Sequence, residues 1–186
     1  IPYPDNAFIK SLYRLPIPLY RLGLGSIIGK YILILSTFGR KTGKVHRTPV
    51  EYYRHQDRIT IMSGFGNRPD WYQNLLKNPQ ASLNIGNQQL CATARKPETA
   101  TEWEGAVAFL RSSPVAQLSE PELAAQLNDA AIREMIEGWP ILTFEPSDEP
   151  CPPPLKADLA WAWPLILLSG AWSLLVLWLH TRKSAS

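Results

Sequence analysis

A strongly basic turn is the first stretch of this chain whose residue types could do chemistry. It reads STFGRKTGKVHRTPVEYY, from Ser36 to Tyr53. Gly39 and Gly43 permit backbone conformations in which successive amide N–H groups converge on one point and form an anion-binding concavity. Thr42 adds a hydroxyl, and charge-assisted hydrogen bonds to phosphate or carboxylate would come from Arg40, Lys41, Lys44 and Arg47. Alone, the stretch is equally consistent with a solvated hairpin turn.

A second stretch, MSGFGNRPDWYQNL, offers a place for a flat ligand. It runs from Met62 to Leu75, where a predicted strand ends and a helix follows directly. Gly64 and Gly66 have no side chains, so the backbone can approach a ring closely, and the helix N-terminus offers free N–H groups to an anionic edge. We expect Asn74 to bond to the loop backbone and hold the loop in shape.

The remaining polar residues argue against hydrolytic and metal chemistry. The histidines His46, His55 and His180 are scattered along the chain, and no serine has a visible base partner, which is untypical of a hydrolase triad. The cysteines Cys91 and Cys151 are unclustered, so the sequence predicts no metal site, no disulfide framework and a reducing compartment.

The totals predict one globular domain and some additional apolar sequence. The chain has 186 residues, of which 45% are hydrophobic and 19% charged. Its net charge of +3 is mild, and the positive residues concentrate between Arg40 and Arg47 and at Arg182 and Lys183. This pattern favours a small anionic ligand and argues against a nucleic-acid partner, which would require a broad basic face.

Short strands joined by tight turns must position the two motifs. Strands are predicted at Tyr31 to Thr37, Thr48 to Arg54, Arg58 to Ser63, Ala81 to Ile85 and Gln88 to Arg95, with WPILTFEP as the last. Helices are predicted at Arg68 to Asn78, in PETATEWEGAVAFLRSS and in SEPELAAQLNDAAIREMIEG. The pattern indicates an α+β fold with a closed or nearly closed antiparallel barrel and inserted helices, rather than a doubly wound sheet.

The barrel domain is predicted to span residues 1–146, with a helical N-terminal segment at residues 1–30 that is broken at Pro16 and Pro18. That segment would either plug the barrel end or lie on a bilayer surface. The prolines of EPSDEPCPPP exclude helix and ladder pairing, so residues 147–157 are interpreted as an extended linker.

The last apolar run suggests a membrane anchor. LAWAWPLILLSGAWSLLVLWL, Leu159 to Leu179, carries no charge and has the length of ~20 residues that a spanning helix needs. A buried core helix is the alternative. We predict a single-pass transmembrane helix at residues 158–180 and a basic tail at 181–186, with membrane lipid as a partner. Loop charges would place the C-terminus in the cytoplasm, whereas a late span after a folded domain favours a cytoplasmic barrel, and we expect the latter.

Together, the two glycine motifs resemble the deazaflavin (coenzyme F-420)-dependent nitroreductase and quinone reductase family, which is related to the FMN-binding split barrels. The resemblance rests on LSTFGRKTGKVHRTPVEYY and SGFGNRPDWYQNLLKNPQASLNIGNQQLCATAR, and more weakly on LYRLGLGSIIGKY. It implies a split antiparallel β-barrel with inserted and peripheral helices. It also implies coenzyme F-420 as the cofactor, and FMN is the alternative because such phosphate sites serve both.

The resemblance also implies a set of cofactor-binding residues. The phosphate and polyglutamate side of the coenzyme would be held by Arg40, Lys41, Thr42, Gly43 and Lys44, and the ring would be lined by Ser63, Gly64, Phe65 and Gly66. The set is completed by His46, Arg47, Pro49 and Asn74. Many members carry arginine where this chain has His46, so positive charge there would depend on pH. The best-known nitroreductase members of the family place several tyrosines over the substrate late in the domain. No tyrosine follows Tyr72 in this chain, so nitroimidazole-type activity is not carried over.

The predicted function is that of an oxidoreductase, anchored in a membrane, that transfers a hydride from a reduced deazaflavin or flavin to an apolar acceptor such as a quinone or an enone. The sequence identifies no catalytic side chain. The alternative is a non-catalytic split-barrel module that holds a flavin, a tetrapyrrole or a fatty acid at the membrane.

Overall fold

The computed structural model of the protein describes residues 6, 11–55, 58–112, 129–166, 168, 169 and 172. Its helices are α1 (Pro16–Arg21), α2 (Gly25–Ile28), α3 (Asp70–Lys77), α4 (Ala100–Ser112) and α5 (Asp129–Ile136). Its strands are β1 (Ile32–Phe38), β2 (Val45–Glu51), β3 (Tyr53–His55), β4 (Arg58–Met62), β5 (Gln80–Ile85), β6 (Gln88–Arg95) and β7 (Ile141–Pro146).

One antiparallel sheet contains all seven strands in the order β2-β1-β5-β6-β7-β4-β3. The two edge strands, β2 and β3, are consecutive in the chain and only Tyr52 lies between them. Because one residue cannot span an open sheet, the sheet must curl until its two edges come close together. This curled sheet with its peripheral helices fits the split-barrel part of the fold expected from the sequence.

The barrel interior is apolar because alternate residues of each strand point inward. On β1, Leu33 and Leu35 join the core, whereas Ile34 and Ser36 belong to the outer face. The buried side of α3 closes this core with Trp71, Tyr72 and Leu75. The opposite, polar side of α3 is thereby held at a fixed position beside the barrel.

A second apolar cluster lies where α4 and α5 pack together outside the barrel core. Its buried members are Ala106, Val107, Leu110, Ile132, Ile136 and Ile141. The first of the two predicted helices corresponds to α4. The second, predicted from Ser119 to Gly138, is described only from residue 129 onward, because residues 113–128 lie outside the described part of the chain.

A helical stretch at residues 11–13 ends in a turn at Arg14 and Leu15, directly before the prolines at which the sequence predicts a helix break. Pro16 is the first residue of α1, and Pro18 also lies in its first turn. Proline is favourable there because the first backbone N–H groups of a helix have no intrahelical partner to lose.

The prediction of a transmembrane helix at residues 158–180 is wrong. In the part of the chain that the structure describes, no helix is both long and apolar enough to cross a bilayer. The segment instead begins with polar contacts to the domain: Arg21 pairs with Asp158 at 2.8 Å, and the Trp163 indole N–H donates to the Leu22 carbonyl at 2.8 Å. A 3-10 turn, Ala160–Ala162, lies between these contacts. Residues 167, 170, 171 and 173–186 of the predicted helix and tail lie outside the described residues.

Two further predictions depended on that helix and are corrected with it. These are the membrane localisation as a single-pass anchor and the membrane lipid as a partner. The hydrophobicity of a segment reports the free energy of its transfer from water into a bilayer. It contains no information on tertiary contacts such as those of Asp158 and Trp163.

The prediction that the chain has no disulfide is wrong as well. Cys91 on β6 and Cys151 form one, with their Cα atoms 5.7 Å apart although 60 positions separate them in the sequence. The inference of a reducing compartment therefore loses its basis. Pairing of this kind depends on the fold, because the sequence spacing alone does not bring β6 and residue 151 together.

The segment at residues 147–155, here called the strap, lies across the outer face of the sheet. Its Ser147 backbone N–H donates to the Cys91 carbonyl at 3.0 Å. Leu155 is buried against Ile34 and Tyr20, and its backbone exchanges two hydrogen bonds with the Asn84 side chain, at 2.9 and 3.0 Å. The strap is therefore fixed to the barrel by covalent, polar and apolar contacts.

A network of four charged side chains ties β4, β6 and β7 to α4. Glu102 at the start of α4 is buried and pairs with Arg58 and Arg95. Glu145, half-exposed on β7, accepts a hydrogen bond from Arg95 at 2.7 Å and lies 3.3 Å from Arg58. The hydrogen bond from Arg95 holds the pKa of Glu145 below its ordinary value, with the charges of Arg95 and Arg58 acting in the same direction.

The lowered pKa of Glu145 predicts acid sensitivity. A carboxylate whose pKa is lower in the folded state stabilises the fold above its unfolded-state pKa, and the contribution disappears as pH falls through the folded-state pKa. We expect the wild-type protein to lose more unfolding free energy between pH 6 and pH 3 than Glu145→Gln does, as measured by denaturant titration. The exposed Glu104→Gln control should follow the wild-type profile. If the unfolding free energy of Glu145→Gln changed with pH as steeply as that of the wild type, the expectation would be contradicted.

Candidate functional site

The basic turn connects β1 to β2 and is closed by its own backbone. The N–H of Gly39 donates to the Lys44 carbonyl at 2.8 Å, and the N–H of Gly43 donates to the Gly39 carbonyl at 2.8 Å. Gly43 has φ +68°, a left-handed conformation that L side chains rarely adopt. The Thr42 hydroxyl accepts the Lys44 N–H at 3.3 Å, so it helps to shape the turn.

Asn74 fastens this turn to α3. The Asn74 side chain is 2% exposed, and its Oδ1 accepts hydrogen bonds from the backbone N and from Nη1 of Arg40, at 3.0 and 3.2 Å. Its Nδ2 donates to the Thr37 hydroxyl at 3.1 Å. One amide therefore joins the helix, the strand before the turn and the turn itself. The sequence placed Asn74 in the site but expected it to bond to the preceding loop.

Two further residues of α3 complete the attachment, and sequence reasoning did not assign them to the site. Asp70 Oδ1 lies 2.7 Å from Arg40 Nη1, and Lys77 Nζ donates to the Arg40 carbonyl at 3.1 Å. Asp70, Asn74 and Lys77 have the spacing i, i+4, i+7, which places them along one face of a helix. That spacing is the signal by which they could have been found.

These contacts divide the cations of the turn into two groups. Arg40 is bound to α3 and its charge is compensated by Asp70. Lys41 and Lys44 are exposed, and neither forms an ion pair with any residue of the described ranges. The positive charge available to a ligand at this turn therefore comes mainly from Lys41 and Lys44.

His46 lies over the turn from the first residues of β2. A Cβ atom built at Gly39 would come within 2.7 Å of His46 Nε2, so the imidazole lies directly against the backbone of Gly39. The backbone of His46 pairs with Thr37 across β1 and β2. The imidazole, exposed to solvent, thus borders the same concavity as the amides of residues 39–44.

Ser63 organises the second motif. Its side chain is buried, its backbone N–H donates to the Pro140 carbonyl at 3.0 Å, and its hydroxyl donates to the Gly66 carbonyl at 2.7 Å. Gly66 has φ +62°, and a Cβ atom added there would meet nothing within 4 Å. Phe65 makes an edge contact with Tyr13, with 6.0 Å between ring centroids. Gly64 and Gly66 are exposed, so their backbone faces open space.

The two motifs lie at the same end of the barrel. The loop at residues 63–66 leads into α3, and Asp70 and Asn74 near the beginning of α3 hold Arg40. The sequence predicted both motifs as one site, and α3 is the element that physically connects them.

Arg47 and Pro49 lie elsewhere, on the outer face of the sheet. Arg47 pairs across the sheet with Ser36, and Pro49 with Ile34. Arg47 Nη2 donates to the Pro153 carbonyl of the strap at 3.3 Å. The structure therefore places these two predicted site residues on the outer face, with Arg47 against the strap, whereas the other predicted residues gather around the turn, α3 and the loop at residues 63–66.

The open space above both motifs is suited to a ligand that has an anionic part and a flat part. A Cβ atom added at Gly43 or at Gly66 would meet nothing within 4 Å, so neither space is filled by the residues described. The turn offers N–H groups and two lysines to an anion. The loop at residues 63–66 offers bare backbone to a ring.

Replacing Asn74 by alanine should destabilise the fold and release the turn. We expect a loss of about 1–3 kcal/mol in unfolding free energy, because the change leaves the Arg40 N–H and the Thr37 hydroxyl without their partner. Amide hydrogen exchange of residues 40–44 should become faster. Leu76→Ala, an exposed position on the same helix, is the control and should leave the exchange of the turn unchanged. Equal amide exchange of residues 40–44 in Asn74→Ala and the wild type would show that Asn74 does not fasten the turn to α3.

The chain is similar to a known family and to proteins of that family. The sequence profile of the F420H(2)-dependent quinone reductase family matches residues 21–116. F420H(2)-dependent quinone reductases from two strains of Mycobacterium tuberculosis are 33% identical over 108 residues, which cover 50% of this chain and 72% of each relative.

Solved structures are also similar to parts of this chain. An F420-H2 dependent reductase covers 62% of this chain and 95% of its own, with 21% identity and a TM-score of 0.46. A heme binding protein from Mycobacterium smegmatis covers 67% of this chain and 49% of its own, with 14% identity and a TM-score of 0.42.

Proposed function

Because this chain belongs to the F420H(2)-dependent quinone reductase family, we propose that it is an oxidoreductase that transfers a hydride from reduced coenzyme F-420 to a quinone. The observation that carries the proposal is the basic turn at residues 39–44, which lies within the matched region and is fixed by Asn74 on α3.

The turn at residues 39–44 would hold the acidic side of the coenzyme. Lys41 and Lys44 provide the charge, and the backbone N–H groups around Gly43 provide directed hydrogen bonds. Arg40 positions the turn, since its guanidinium and backbone N–H are already bonded to α3. His46 borders this concavity and adds a hydrogen-bond donor.

The loop at residues 63–66 would hold the ring portion of the coenzyme. The loop keeps its shape because the Ser63 hydroxyl donates to the Gly66 carbonyl. When bound there, the coenzyme supplies the hydride and the electronic chemistry of the transfer. The role of the chain is to orient the ring, to exclude water on the side of the loop, and to leave the opposite side open to the acceptor.

A quinone that accepts a hydride also needs a proton to become a hydroquinone, and solvent is the source that the site favours. The Ser63 hydroxyl already donates its hydrogen bond to the Gly66 carbonyl. Tyr72 is buried in the barrel core, and burial raises the pKa of its phenol, which therefore stays neutral. The proposal therefore involves no side-chain acid or base.

Binding of the coenzyme to the full chain tests this proposal. Titration with coenzyme F-420 and, separately, with FMN should show tighter binding of F-420, because two exposed lysines at the turn suit its longer acidic side. Tighter binding of FMN would instead identify a flavin protein. Binding of a tetrapyrrole or a fatty acid without either coenzyme would favour the non-catalytic module.

A further inference from the structure

Four residues form a polar row across the outer face of the sheet. The register pairs Arg47 with Ser36, Ser36 with Ser82 and Ser82 with Cys91, so one residue each from β2, β1, β5 and β6 lies in line. An outer face of this kind would ordinarily be solvated, and its donors would bond to water. In this protein the row is covered.

The strap covers the row residue by residue. Cys151 forms the disulfide with Cys91, the carbonyl of Pro152 accepts from the Ser82 hydroxyl, and the carbonyl of Pro153 accepts from Arg47 Nη2. Three successive residues of the strap thus face three of the four members of the row. Proline at positions 152 and 153 favours this extended course, because it restricts the backbone and lacks an N–H group.

The cover leaves two buried polar atoms unsatisfied. Within the part of the chain that the structure describes, Ser36 Oγ and Arg47 Nε have no hydrogen-bond partner. Ser36 is fully buried and is the direct cross-strand neighbour of Arg47. Such groups are uncommon in folded proteins, because a buried donor without a partner loses its hydrogen bonds to water and gains none in return. The strap carbonyls therefore satisfy only part of this donor set.

An oxyanion would satisfy these donors better than the strap does. A phosphate or carboxylate group has several acceptor oxygens and can bond to the guanidinium through both Nε and an Nη atom, whereas a single carbonyl reaches only Nη2. The Ser36 hydroxyl adds a donor on the same row. Arg47 lies on β2, which follows the basic turn directly in the chain.

We propose that Arg47 and Ser36 form an anion-binding subsite for the acidic side of the coenzyme, and that the strap is an internal cover which competes for it and is latched by the Cys91–Cys151 disulfide. This inference rests on the proposed function for the identity of the ligand. The role of the strap as a cover depends only on the contacts of the strap with the sheet.

The latch opens by thiol–disulfide exchange with a dithiol. The dithiol gives up two electrons and two protons and becomes a cyclic disulfide, and Cys91 and Cys151 each gain one hydrogen as a thiol. Cys91 is exposed, so a reductant can reach the bond. Without the covalent link, the strap retains only hydrogen bonds and the contact of Leu155, and its open state becomes more populated.

The test compares the full chain in its oxidised form, after treatment with dithiothreitol, and as Cys151→Ser. Hydrogen exchange of the peptide at residues 147–157 reports opening of the strap, and titrations with coenzyme F-420 and with inorganic phosphate report the subsite. We expect faster exchange and about tenfold tighter coenzyme binding in the reduced protein and in Cys151→Ser. The apparent affinity for a ligand rises when the binding-competent state of the protein is more populated. The double variant Cys91→Ser/Cys151→Ser should not respond to dithiothreitol.

The outcomes separate the two proposals. Faster exchange with unchanged affinity for both ligands would overturn the subsite, and unchanged exchange would overturn the latch. If coenzyme F-420 binds in neither redox state, the proposed function fails. In that case tighter phosphate binding on reduction, lost in Arg47→Gln, would still support the subsite, and its absence would overturn it.

Discussion

Replacing Glu102 by alanine should lower the unfolding free energy by about 3 kcal/mol, the lower end of the roughly 3–5 kcal/mol found when one partner of a buried ion pair is removed. The Glu102 side chain is 1% exposed, whereas those of Arg58 and Arg95 are 41% and 27% exposed. Water can therefore partly compensate the two arginines. The expected loss should appear as a shift of the denaturant midpoint at neutral pH.

Glu102 has a second function that adds to this loss. Its Oε2 accepts the backbone N–H groups of Glu98 and Thr99 at 2.7 and 3.0 Å, and its own N–H bonds to the Thr99 hydroxyl at 3.4 Å. This is a capping box at the start of α4. Glu102→Gln keeps the shape but not the charge and should lose less stability than the alanine variant.

Glu98→Ala is the matched control, because the Glu98 side chain is exposed and its contact with Arg95, at 4.0 Å, is long. Surface pairs of this kind are worth about 0–1 kcal/mol. A loss in Glu102→Ala no larger than that in Glu98→Ala would show that the network does not stabilise the junction of α4 with the barrel.

Replacing Lys41 by alanine should weaken binding of coenzyme F-420 by about 1.5–3 kcal/mol, the range for a hydrogen bond to a charged group. Lys41 is exposed at the turn and makes no ion pair with residues that the structure describes, so its removal should affect the ligand and leave the fold intact. Equilibrium titration of the oxidised coenzyme measures the loss. At high ionic strength the loss should become smaller, because salt screens exposed charges.

Two controls accompany this variant. Lys41→Arg should keep most of the affinity, since the positive charge is retained. Lys96→Ala, at an exposed position after β6, should bind the coenzyme as the wild type does. If Lys41→Ala and Lys96→Ala bind equally well, the basic turn is a solvated hairpin, as its sequence alone also allowed.

The strands were accessible from sequence because they obey local rules. The predicted and observed bounds of β6 agree, Gln88–Arg95, and those of β1, β4 and β5 differ by at most one residue at each end. The alternation of inward and outward residues is a property of the strand itself. The predicted strand from Thr48 to Arg54 is interrupted at Tyr52, where the chain passes from one sheet edge to the other. That change depends on closure of the barrel and leaves no local signal.

The contacts that fasten the site were less accessible. The two glycine motifs could be recognised, but the bonds of Arg40 to Asp70 and Asn74 connect positions 30 and 34 residues apart. Alternation along β2 separates Arg47 from His46 by face, yet both stand in one basic cluster of the sequence. The division of that cluster between the turn and the outer face becomes visible only in the paired sheet.

The end of the described chain shows the limit of composition as a guide. A proline-rich stretch and a tryptophan-rich apolar run suggested a linker and an anchor. The first lies along the sheet through Cys151 and Leu155, and the second begins with the contacts of Asp158 and Trp163 to α1 and its C-terminal end. Such contacts depend on complementary groups far away in sequence, which hydropathy does not record.

The most direct test of the proposed function is anaerobic oxidation of reduced coenzyme F-420 by a soluble quinone such as menadione, with and without the purified full chain. We predict that the protein accelerates the reaction, that one coenzyme is oxidised for each quinone reduced, and that Lys41→Ala lowers the rate at coenzyme concentrations below saturation. An identical rate in the presence and absence of the protein, with the coenzyme shown to be bound, would contradict the account.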